Sequence, residues 1–319
     1  MRPLVSFVIP VKNDAARLRR CLESILNNDH PRELIEMIVI DNGSTDGSGR
    51  VARECGAVVL QCSQGSVAEL RNRGARAALG TILAFVDADH EIDPHWISTA
   101  IEVLSTPNVV ATGAPYIAEP SANWVQQQYD GLRDRPATRE DVTWLGSGNL
   151  AVVRAAFQSI GGFNADLTAC EDVDFCNRLI ARGYRIVADP ALRSVHFGDP
   201  RTLKALFFGE LWRGRDNIRV TVRGPRTFRN FRSALIPAGQ LLALTGCIIA
   251  LAMGWRWPAV AALLVALAPA AARAAMILRR KLRPTISGAA QAFAVAVVFD
   301  AARALALVAR ATHQTRRSA

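Results

Sequence analysis

The sequence predicts an α/β fold with a largely parallel sheet, followed by a C-terminal region of apolar helices. Two observations carry this prediction. Between residues 5 and 188, short apolar runs such as residues 81–86 alternate with segments of helical periodicity such as residues 15–27. This alternation is typical of layered sheets with helical crossovers. From about Ser233 onward the composition changes to Ala, Leu and Val with clusters of arginine, which is typical of membrane helices with basic flanks.

The individual elements follow from the spacing of the apolar residues. Continuous apolar runs predict buried strands, whereas residues such as Leu18, Leu22 and Ile25, which recur every three or four positions, predict one face of a helix. Residues 114–142 are polar and are predicted to be irregular. The strands are expected at 5–11, 36–41, 57–61, 81–86, 109–113, within 145–153 and at 184–188, and the helices at 15–27, 49–55, 65–79, 95–104 and 170–179.

The apolar C-terminal region predicts a domain boundary after residue 222. Residues 234–253 and 258–278 are each long enough to cross a bilayer of roughly 30 Å. A third run, residues 286–309, contains Asp300 and Arg303, and charges inside a membrane are costly. We therefore predict a soluble domain over residues 1–222 and a membrane region over 223–319. The region is expected to have two spans and an amphipathic interfacial helix, with a third span or a soluble helical subdomain as alternatives.

The distribution of charge and of cysteine indicates where in the cell the protein lies and which partners it does not bind. The basic clusters at residues 223–232 and 279–283 flank the predicted spans, and such clusters stay in the cytoplasm. The N-terminal domain is therefore expected at the cytoplasmic face of an inner or plasma membrane. The net charge is +10, but no aromatic and basic residues interleave as in an RNA-binding sheet, so nucleic acid is not an expected partner. The six cysteines have no disulfide or Cys-X-X-Cys spacing, which indicates buried thiols in a reducing compartment.

Two carboxylates, Asp87 and Asp89, end the apolar run at 81–86. Placing two anions at the end of a buried strand is costly unless a positive charge offsets them. A divalent cation with oxygen ligands, shared with a phosphorylated ligand, would supply that charge. In open α/β sheets, ligands bind at the carboxyl ends of the strands, where this pair would lie. A capped surface turn is the alternative.

Further polar motifs follow other predicted elements. Asp41 ends the second strand and precedes a loop rich in turn residues. A glycine-rich turn, residues 145–149, precedes another strand. Glu171, Asp172 and Asp174 begin a helix, where acidic residues are favoured, so helix capping is one interpretation of all three.

In this order, the motifs resemble inverting glycosyltransferase family 2, whose members bind nucleotide sugars with a GT-A fold. The resemblance covers roughly residues 3–215. It rests on residues 8–13 (Val-Ile-Pro-Val-Lys-Asn), 41–46 (Asp-Asn-Gly-Ser-Thr-Asp), 87–89 (Asp-Ala-Asp), 146–149 (Gly-Ser-Gly-Asn) and Glu171-Asp172.

The resemblance implies a donor site that binds a nucleotide diphosphate sugar, with uridine as the default base. Asp41 would hydrogen-bond the base, although an Asx turn is its alternative role. Arg71 is similar to an arginine that lines the nucleotide in the family, although a solvated helix arginine is its alternative. The implied nucleotide-sugar-binding residues are Pro10, Val11, Asn13, Asp41, Arg71, Asp87, Ala88, Asp89, Ser147, Gly148, Arg213 and Arg215.

The resemblance also implies a metal ion and a catalytic base. Asp87 and Asp89 would hold the ribose and a Mn²⁺ or Mg²⁺ ion, with His196 as a further ligand or, alternatively, a core histidine. Asp172 would take the proton of the acceptor hydroxyl, supported by Glu171. Asp174 is its rival, but on a helix it would project to another side.

The chain lacks the Gln-X-X-Arg-Trp motif that processive members of the family use to hold a growing polymer. Transfer of a single sugar is therefore expected rather than polymerisation. The acceptor is expected to be lipid-linked or a glycan at the membrane. The alternatives are a nucleotidyltransferase and a catalytically silent nucleotide-binding membrane scaffold.

Overall fold

The computed structural model describes residues 2–224, 228–280 and 285–308. The chain forms two compact units. The first comprises residues 1–119 and 134–198, and the second comprises residues 120–133 and 199–319. The predicted boundary after residue 222 was drawn from composition, whereas this division follows packing and assigns residues 120–133 and 199–222 to the second unit.

All strands of the described residues belong to the first unit. They are β1 (Val5–Val11), β2 (Ile35–Asp41), β3 (Val58–Gln61), β4 (Ile82–Val86), β5 (His90–Ile92), β6 (Val109–Gly113), β7 (Ile117–Ala118), β8 (Glu140–Asp141), β9 (Asn149–Val153), β10 (Arg185–Ala188) and β11 (Ser194–His196).

The helices are divided between the units, with α5 and α8–α12 in the second. They are α1 (Ala15–Leu26), α2 (Ser48–Glu54), α3 (Val67–Ala77), α4 (Trp96–Leu104), α5 (Trp124–Asp130), α6 (Arg154–Ser159), α7 (Glu171–Ala181), α8 (Leu203–Arg213), α9 (Asn217–Arg223), α10 (Phe228–Ala252), α11 (Arg256–Arg279) and α12 (Ile286–Ala306).

The main sheet is mixed rather than largely parallel. Among the described residues it has eight strands, in the order β3-β2-β1-β4-β9-β6-β10-β8. The pairs β1–β2, β1–β4, β2–β3 and β6–β10 are parallel. β9, however, runs antiparallel to both β4 and β6. Consequently the beginning of β9 lies beside the end of β4, with Asn149 opposite Val86.

A second, three-stranded sheet has the order β5-β11-β7. β5 and β11 are antiparallel, and His90 pairs with His196 in their register. Each of these strands has two or three residues, too few to produce a recognisable alternation in the sequence. The sequence analysis therefore did not predict this sheet.

Apolar side chains fill both faces of the main sheet. Phe7 and Ile9 project to one face and pack in a cluster that includes Trp96 of α4, whereas Val8 and Ile40 project to the other face. This division follows the two-residue period of a strand. Gly74 of α3 lies directly over Val8 and Ile40, and an added Cβ would stand 2.7 Å from the Ile40 side chain. The glycine thus allows α3 to approach the sheet closely.

Three helices of the described residues are long and apolar enough to cross a membrane, namely Phe231–Ala252 within α10, together with α11 and α12. The sequence analysis placed α12 at the interface because it contains Asp300 and Arg303. Both charges are paired: Asp300 is 2.8 Å from Arg273, and Arg303 is 2.8 Å from Glu210 of α8. Because each charge has an opposite partner, its presence does not exclude α12 from a membrane.

The two basic flanks lie partly outside the described residues. Residues 225–227 and 281–284, which belong to the two clusters used to predict a cytoplasmic domain, lie outside the described residues. Residues 309–319 also lie outside them. The orientation of the chain therefore stays a prediction.

Candidate active site

The predicted site residues of the first unit lie around the carboxyl ends of β1, β2 and β4. Asp87 follows β4, and its backbone N–H donates a hydrogen bond to the carbonyl oxygen of Gly148, 3.2 Å away. A Cβ added to Gly148 would stand 2.6 Å from Oδ2 of Asp87. The antiparallel strand β9 brings these two segments together, and glycine is the residue that allows this approach.

Asp41 is almost completely buried at the end of β2. Its Oδ1 accepts a hydrogen bond from the backbone N–H of Ser44 at 2.8 Å, and its Oδ2 accepts one from Nε2 of Gln61 at 3.1 Å. The first contact is the Asx turn that the sequence left open as an alternative. Since each carboxylate oxygen can accept two hydrogen bonds, the turn leaves capacity for a base, and that contact stays a prediction.

Asn13 is joined to the loop that follows β2. It has a left-handed backbone with φ of 52°, a conformation that asparagine tolerates better than most residues. Its Oδ1 accepts a hydrogen bond from the N–H of Thr45, and its own N–H donates to Oγ of Ser44. Pro10 and Val11 precede it at the end of β1, beside β2. The structure therefore brings together the residues predicted to bind the nucleoside.

Arg71 is buried, with 3% of its surface exposed, which excludes the interpretation of a solvated helix arginine. Its Nη2 donates to Oδ1 of Asp87 at 2.6 Å, and its Nη1 donates to Oε1 of Glu171 at 2.8 Å. Nε of Arg71 is buried and has no hydrogen-bond partner among the described residues. The arginine thus connects the carboxylate after β4 to the first residue of α7.

The acidic residues at the start of α7 have separate partners. Glu171 is buried and also accepts a hydrogen bond from Oγ of Ser147 at 3.3 Å. Asp172 accepts hydrogen bonds from the backbone N–H groups of Val173 and Ser147. Asp174 forms an ion pair with Arg178 at 2.8 Å. Asp172 therefore lies against the glycine-rich turn, as the predicted base should, whereas its rival is held by a cation.

The environment of Asp172 favours the protonated form. Burial, and then the negative charge of Glu171, raise the pKa of Asp172 from 3.8 to about 7. The charge of Arg71 and the hydrogen bonds from Val173 and Ser147 oppose this rise. A carboxyl group with such a pKa can exchange a proton near neutral pH.

Three other residues of the first unit are potential metal ligands. One ligand atom from each of Asp89, His90 and His196 falls within 4.8 Å of the others. Asp87, which was also predicted to bind the metal, lies outside this group. The sequence analysis missed His90, because its contact with His196 depends on the pairing of β5 with β11. The adjacency of His90 to Asp89 was the available signal.

The surroundings of this group suit a cation. Gly198 has no side chain where a Cβ would overlap Oδ2 of Asp89 and stand 2.8 Å from Nε2 of His196. Nδ1 of His90 lies 3.0 Å from Oγ of Ser194, an arrangement that orients metal-binding imidazoles. Burial alone would raise the pKa of Asp89, but the hydrogen bond and charge of His196 outweigh it and hold that pKa well below its usual value. One carboxylate and two imidazoles therefore lie close enough together to share one cation.

The structure locates three further residues that were predicted to bind the donor. Ala88, between the two carboxylates, is buried. Arg213 belongs to the second unit, where its Nη1 lies 3.0 Å from Glu210 and 3.2 Å from the hydroxyl of Tyr129. Arg215 follows α8 in the same unit. The donor-binding roles of these residues stay predictions.

Comparison with known proteins shows which family the chain resembles. Residues 6–160, which include the segment from β1 to α6, match the sequence profile described as Glycosyl transferase family 2. Over nearly half of its length, the chain is similar to glycosyltransferase family 2. Its fold is that of the GT-A glycosyltransferases, and the suspected resemblance is confirmed.

Individual members of the family resemble the chain at low sequence identity. Glycosyltransferase AglE of Haloferax volcanii is 27% identical over 219 residues, which are 66% of this chain and 69% of that protein. Pre-mycofactocin glycosyltransferase of Mycobacterium tuberculosis is 28% identical over 212 residues, or 62% of this chain and 43% of that protein. The chain thus spans less than half the length of the second relative.

A solved structure matches nearly the whole chain. It is mannosyltransferase PcManGT from Pyrobaculum calidifontis, in complex with GDP-Man and Mn²⁺. The TM-score is 0.63 at 20% sequence identity, and the match covers 97% of this chain and 87% of the other. At this identity the likeness shows the fold. The similarity to family 2 supports a glycosyltransferase, rather than the nucleotidyltransferase considered as an alternative.

Proposed function

We propose that this protein is an inverting glycosyltransferase that moves one sugar from a nucleotide diphosphate sugar to an acceptor hydroxyl. The observation that carries the proposal is Asp172, a half-buried carboxyl group that lies against the glycine-rich turn and has a pKa of about 7. It lies in the same unit as Asp87 and the group Asp89, His90 and His196.

Asp172 is the proposed general base. Its carboxylate would accept the proton of the acceptor hydroxyl while that oxygen bonds to the anomeric carbon on the face opposite the diphosphate. The bond from the anomeric carbon to the diphosphate breaks on the other face, so the configuration inverts. A carboxylate with a raised pKa is a stronger base than an ordinary aspartate, which favours removal of a hydroxyl proton. Glu171 would support this group at the start of α7.

Asp89, His90 and His196 would hold a divalent cation. Imidazole nitrogens suit transition metals better than Mg²⁺, which prefers oxygen ligands, so the donor set favours Mn²⁺. When bound, such an ion offsets the negative charge of the departing diphosphate. The PcManGT structure contains both Mn²⁺ and a nucleotide sugar, which supports the same pairing here. Asp87 would remain on the donor side, with one oxygen bound to Arg71.

The nucleoside would bind at the ends of β1 and β2. Asp41 is proposed to hydrogen-bond the base, beside Pro10, Val11 and Asn13. Uridine is the default base of the proposal, but PcManGT was solved with GDP-Man. Both bases therefore belong in the first experiment.

The membrane region suggests the acceptor. Three described helices are long and apolar enough to span a membrane. A chain anchored in this way can reach an acceptor at the membrane surface, and we propose a lipid-linked acceptor or a membrane-bound glycan. We place the transfer at the cytoplasmic face, because the basic clusters at residues 223–232 and 279–283 flank the apolar helices.

The proposal is tested with detergent-purified protein, Mn²⁺ and a panel of UDP-, GDP- and dTDP-sugars. Binding is measured by thermal shift, and turnover by slow hydrolysis of the donor. We expect one nucleotide to stabilise the protein in a metal-dependent manner. The variant Asp172→Asn should keep this stabilisation and lose transfer, because an amide cannot accept the hydroxyl proton.

The variant Asp174→Asn is the matched control on the same helix, since Asp174 is paired with Arg178. It should retain transfer. Full activity of Asp172→Asn would refute the assignment of the base. A folded parent protein that binds donors without turnover would instead support the silent scaffold.

A further inference from the structure

Arg71 occupies a position that a nucleotide contact does not explain. It is 3% exposed, so its guanidinium offers little surface to a ligand. Both terminal nitrogens donate to carboxylates of the protein, Asp87 at 2.6 Å and Glu171 at 2.8 Å. We propose that Arg71 is a positioning residue that holds the donor-side carboxylate and the base-bearing end of α7 in one geometry. The inference rests on the proposed roles of Asp87 and Asp172.

The planar guanidinium suits this connection. Its nitrogens point in fixed directions, so two carboxylates that bind it have a defined mutual orientation. One partner follows β4 and the other begins α7, 100 residues further along the chain than Arg71 itself. Arg71 itself lies on a third element, α3. The arginine thus fixes the distance between two elements that carry separate parts of the proposed reaction.

The charges around Arg71 also require it. Asp87, Glu171 and Asp172 all lower the free energy of its charged form, and two of them are bound to it directly. Without the cation, the neighbouring negative charges of these three carboxylates would repel one another. Repulsion would move Glu171, and with it the adjacent Asp172, away from the position set by Ser147. Arg71 therefore acts on the base through its neighbour rather than by contact with the substrate.

The remaining contacts keep the guanidinium in place. Its central carbon lies 5.8 Å from the centre of the Phe163 ring, within reach of a cation–π interaction. Nε is buried without a hydrogen-bond partner among the described residues. The side chain is therefore held by the hydrogen bonds of its two terminal nitrogens and by its contact with Phe163, as expected for a residue with a positioning role.

The test measures kcat and donor KM for donor hydrolysis, together with nucleotide affinity, in the variants Arg71→Gln and Arg71→Lys. We expect both variants to bind the nucleoside diphosphate and Mn²⁺ as the parent does, while kcat falls by about 100-fold, the loss typical of a misplaced catalytic group. Lysine should not rescue kcat, since a single ammonium lacks the two-pronged geometry. Arg73→Gln is the matched control, because Arg73 lies on the same helix and is exposed.

A double-mutant cycle distinguishes positioning from general damage. If Arg71 acts through Glu171, then Glu171→Gln should reduce kcat less in the Arg71→Gln protein than in the parent. Additive losses would overturn the proposal, as would a weaker nucleotide affinity with kcat preserved, which would make Arg71 a nucleotide contact. Thermal unfolding of each variant checks that it is folded. If Arg71→Gln does not fold, Arg71→Lys, which keeps the positive charge, provides the test. Failure of the parent itself to bind any donor would refute the proposed function instead.

Discussion

At the residue scale, Gly198 shows how a missing side chain can shape a cation site. It faces Asp89 and His196 at the point where a Cβ would overlap one ligand and crowd the other. Glycine is usually explained by backbone freedom, but the requirement here is space. No sequence pattern indicates this role, because Gly198 follows His196 by two residues and belongs to no recognised motif.

The variant Gly198→Ala should weaken Mn²⁺ binding by about tenfold or more, as changes around metal ligands do. The added methyl group must displace the carboxylate of Asp89 or the imidazole of His196. Calorimetric titration with Mn²⁺ alone measures this effect without an activity assay. Gly239→Ala is the control, since its new Cβ meets nothing within 4 Å. Unchanged Mn²⁺ affinity would show that the cation binds elsewhere.

The raised pKa of Asp172 predicts a pH dependence. Its folded-state pKa of about 7 lies above the ordinary value of 3.8, so the carboxylate form that can accept a proton is lost as the pH falls below 7. Transfer should therefore fall about tenfold per pH unit on the acid side of this pKa. The rate should be constant on the alkaline side.

The pH profile of kcat/KM for the acceptor, at saturating Mn²⁺ and donor, measures this dependence. Metal binding to histidine ligands also depends on pH, so donor binding is followed over the same range to separate loss of the metal from protonation of the base. A rate that stays constant down to the ordinary pKa of an aspartate would contradict the proposed environment of Asp172.

At the scale of elements, local pattern was sufficient for the long strands and insufficient for the short ones. Strands β1, β2 and β4 are apolar runs that end in polar motifs, and the sequence located all three. The direction of β9 could not be inferred, because strand orientation depends on long-range pairing. The same limit explains the contact of His90 with His196 and that of Arg71 with Glu171. Each joins residues 100 or more positions apart, and the local pattern of a single sequence does not show which distant residues pair.

The pair Arg273–Asp300 connects α11 to α12, two of the helices that could cross a membrane. Asp300 is 3% exposed. Arg273→Leu should lower the free energy of unfolding by about 3 kcal/mol, because it leaves the buried carboxylate of Asp300 without its partner. Asp300→Leu should lower it less, because the Arg273 side chain is 30% exposed. The double variant should recover most of that loss.

Thermal unfolding in one detergent, for the parent, both single variants and the double variant, measures this coupling. Leu263→Ala, a change at a partly exposed apolar position of α11, controls for general loosening of the helix. Equal and additive losses from the two single variants would show that the two charges do not stabilise each other.

At the scale of the whole molecule, the apolar helices and the basic charge predict different kinds of membrane attachment. A chain with a net charge of +10 can bind an anionic surface and be released by salt. A chain with transmembrane helices cannot be released in this way. We expect the protein to remain in the membrane fraction after high salt and alkaline carbonate, and to be extracted by detergent.

Fractionation followed by immunodetection checks this expectation, with a peripheral protein of the same membrane as control. Release by salt alone would indicate that the helices pack without crossing the bilayer. At this scale composition was informative, since the change near residue 233 located the apolar helices. It could not show that residues 120–133 pack with the second unit, because nothing in their polar sequence indicates a partner.

The assignment of residues 120–133 to the second unit has a consequence for synthesis of the protein on the ribosome. The apolar side chains of α5, Val125 and Tyr129, pack with Val295 of α12. A ribosome adds about 5–20 residues per second, so α5 is made roughly 10 to 35 s before α12 is complete. During that interval the part of its apolar face that packs on α12 is uncovered and is open to chaperones or proteases. A chain truncated before α12 would therefore expose apolar residues of α5. Cellular quality control would then recognise the truncated protein at α5, far in sequence from the site of truncation.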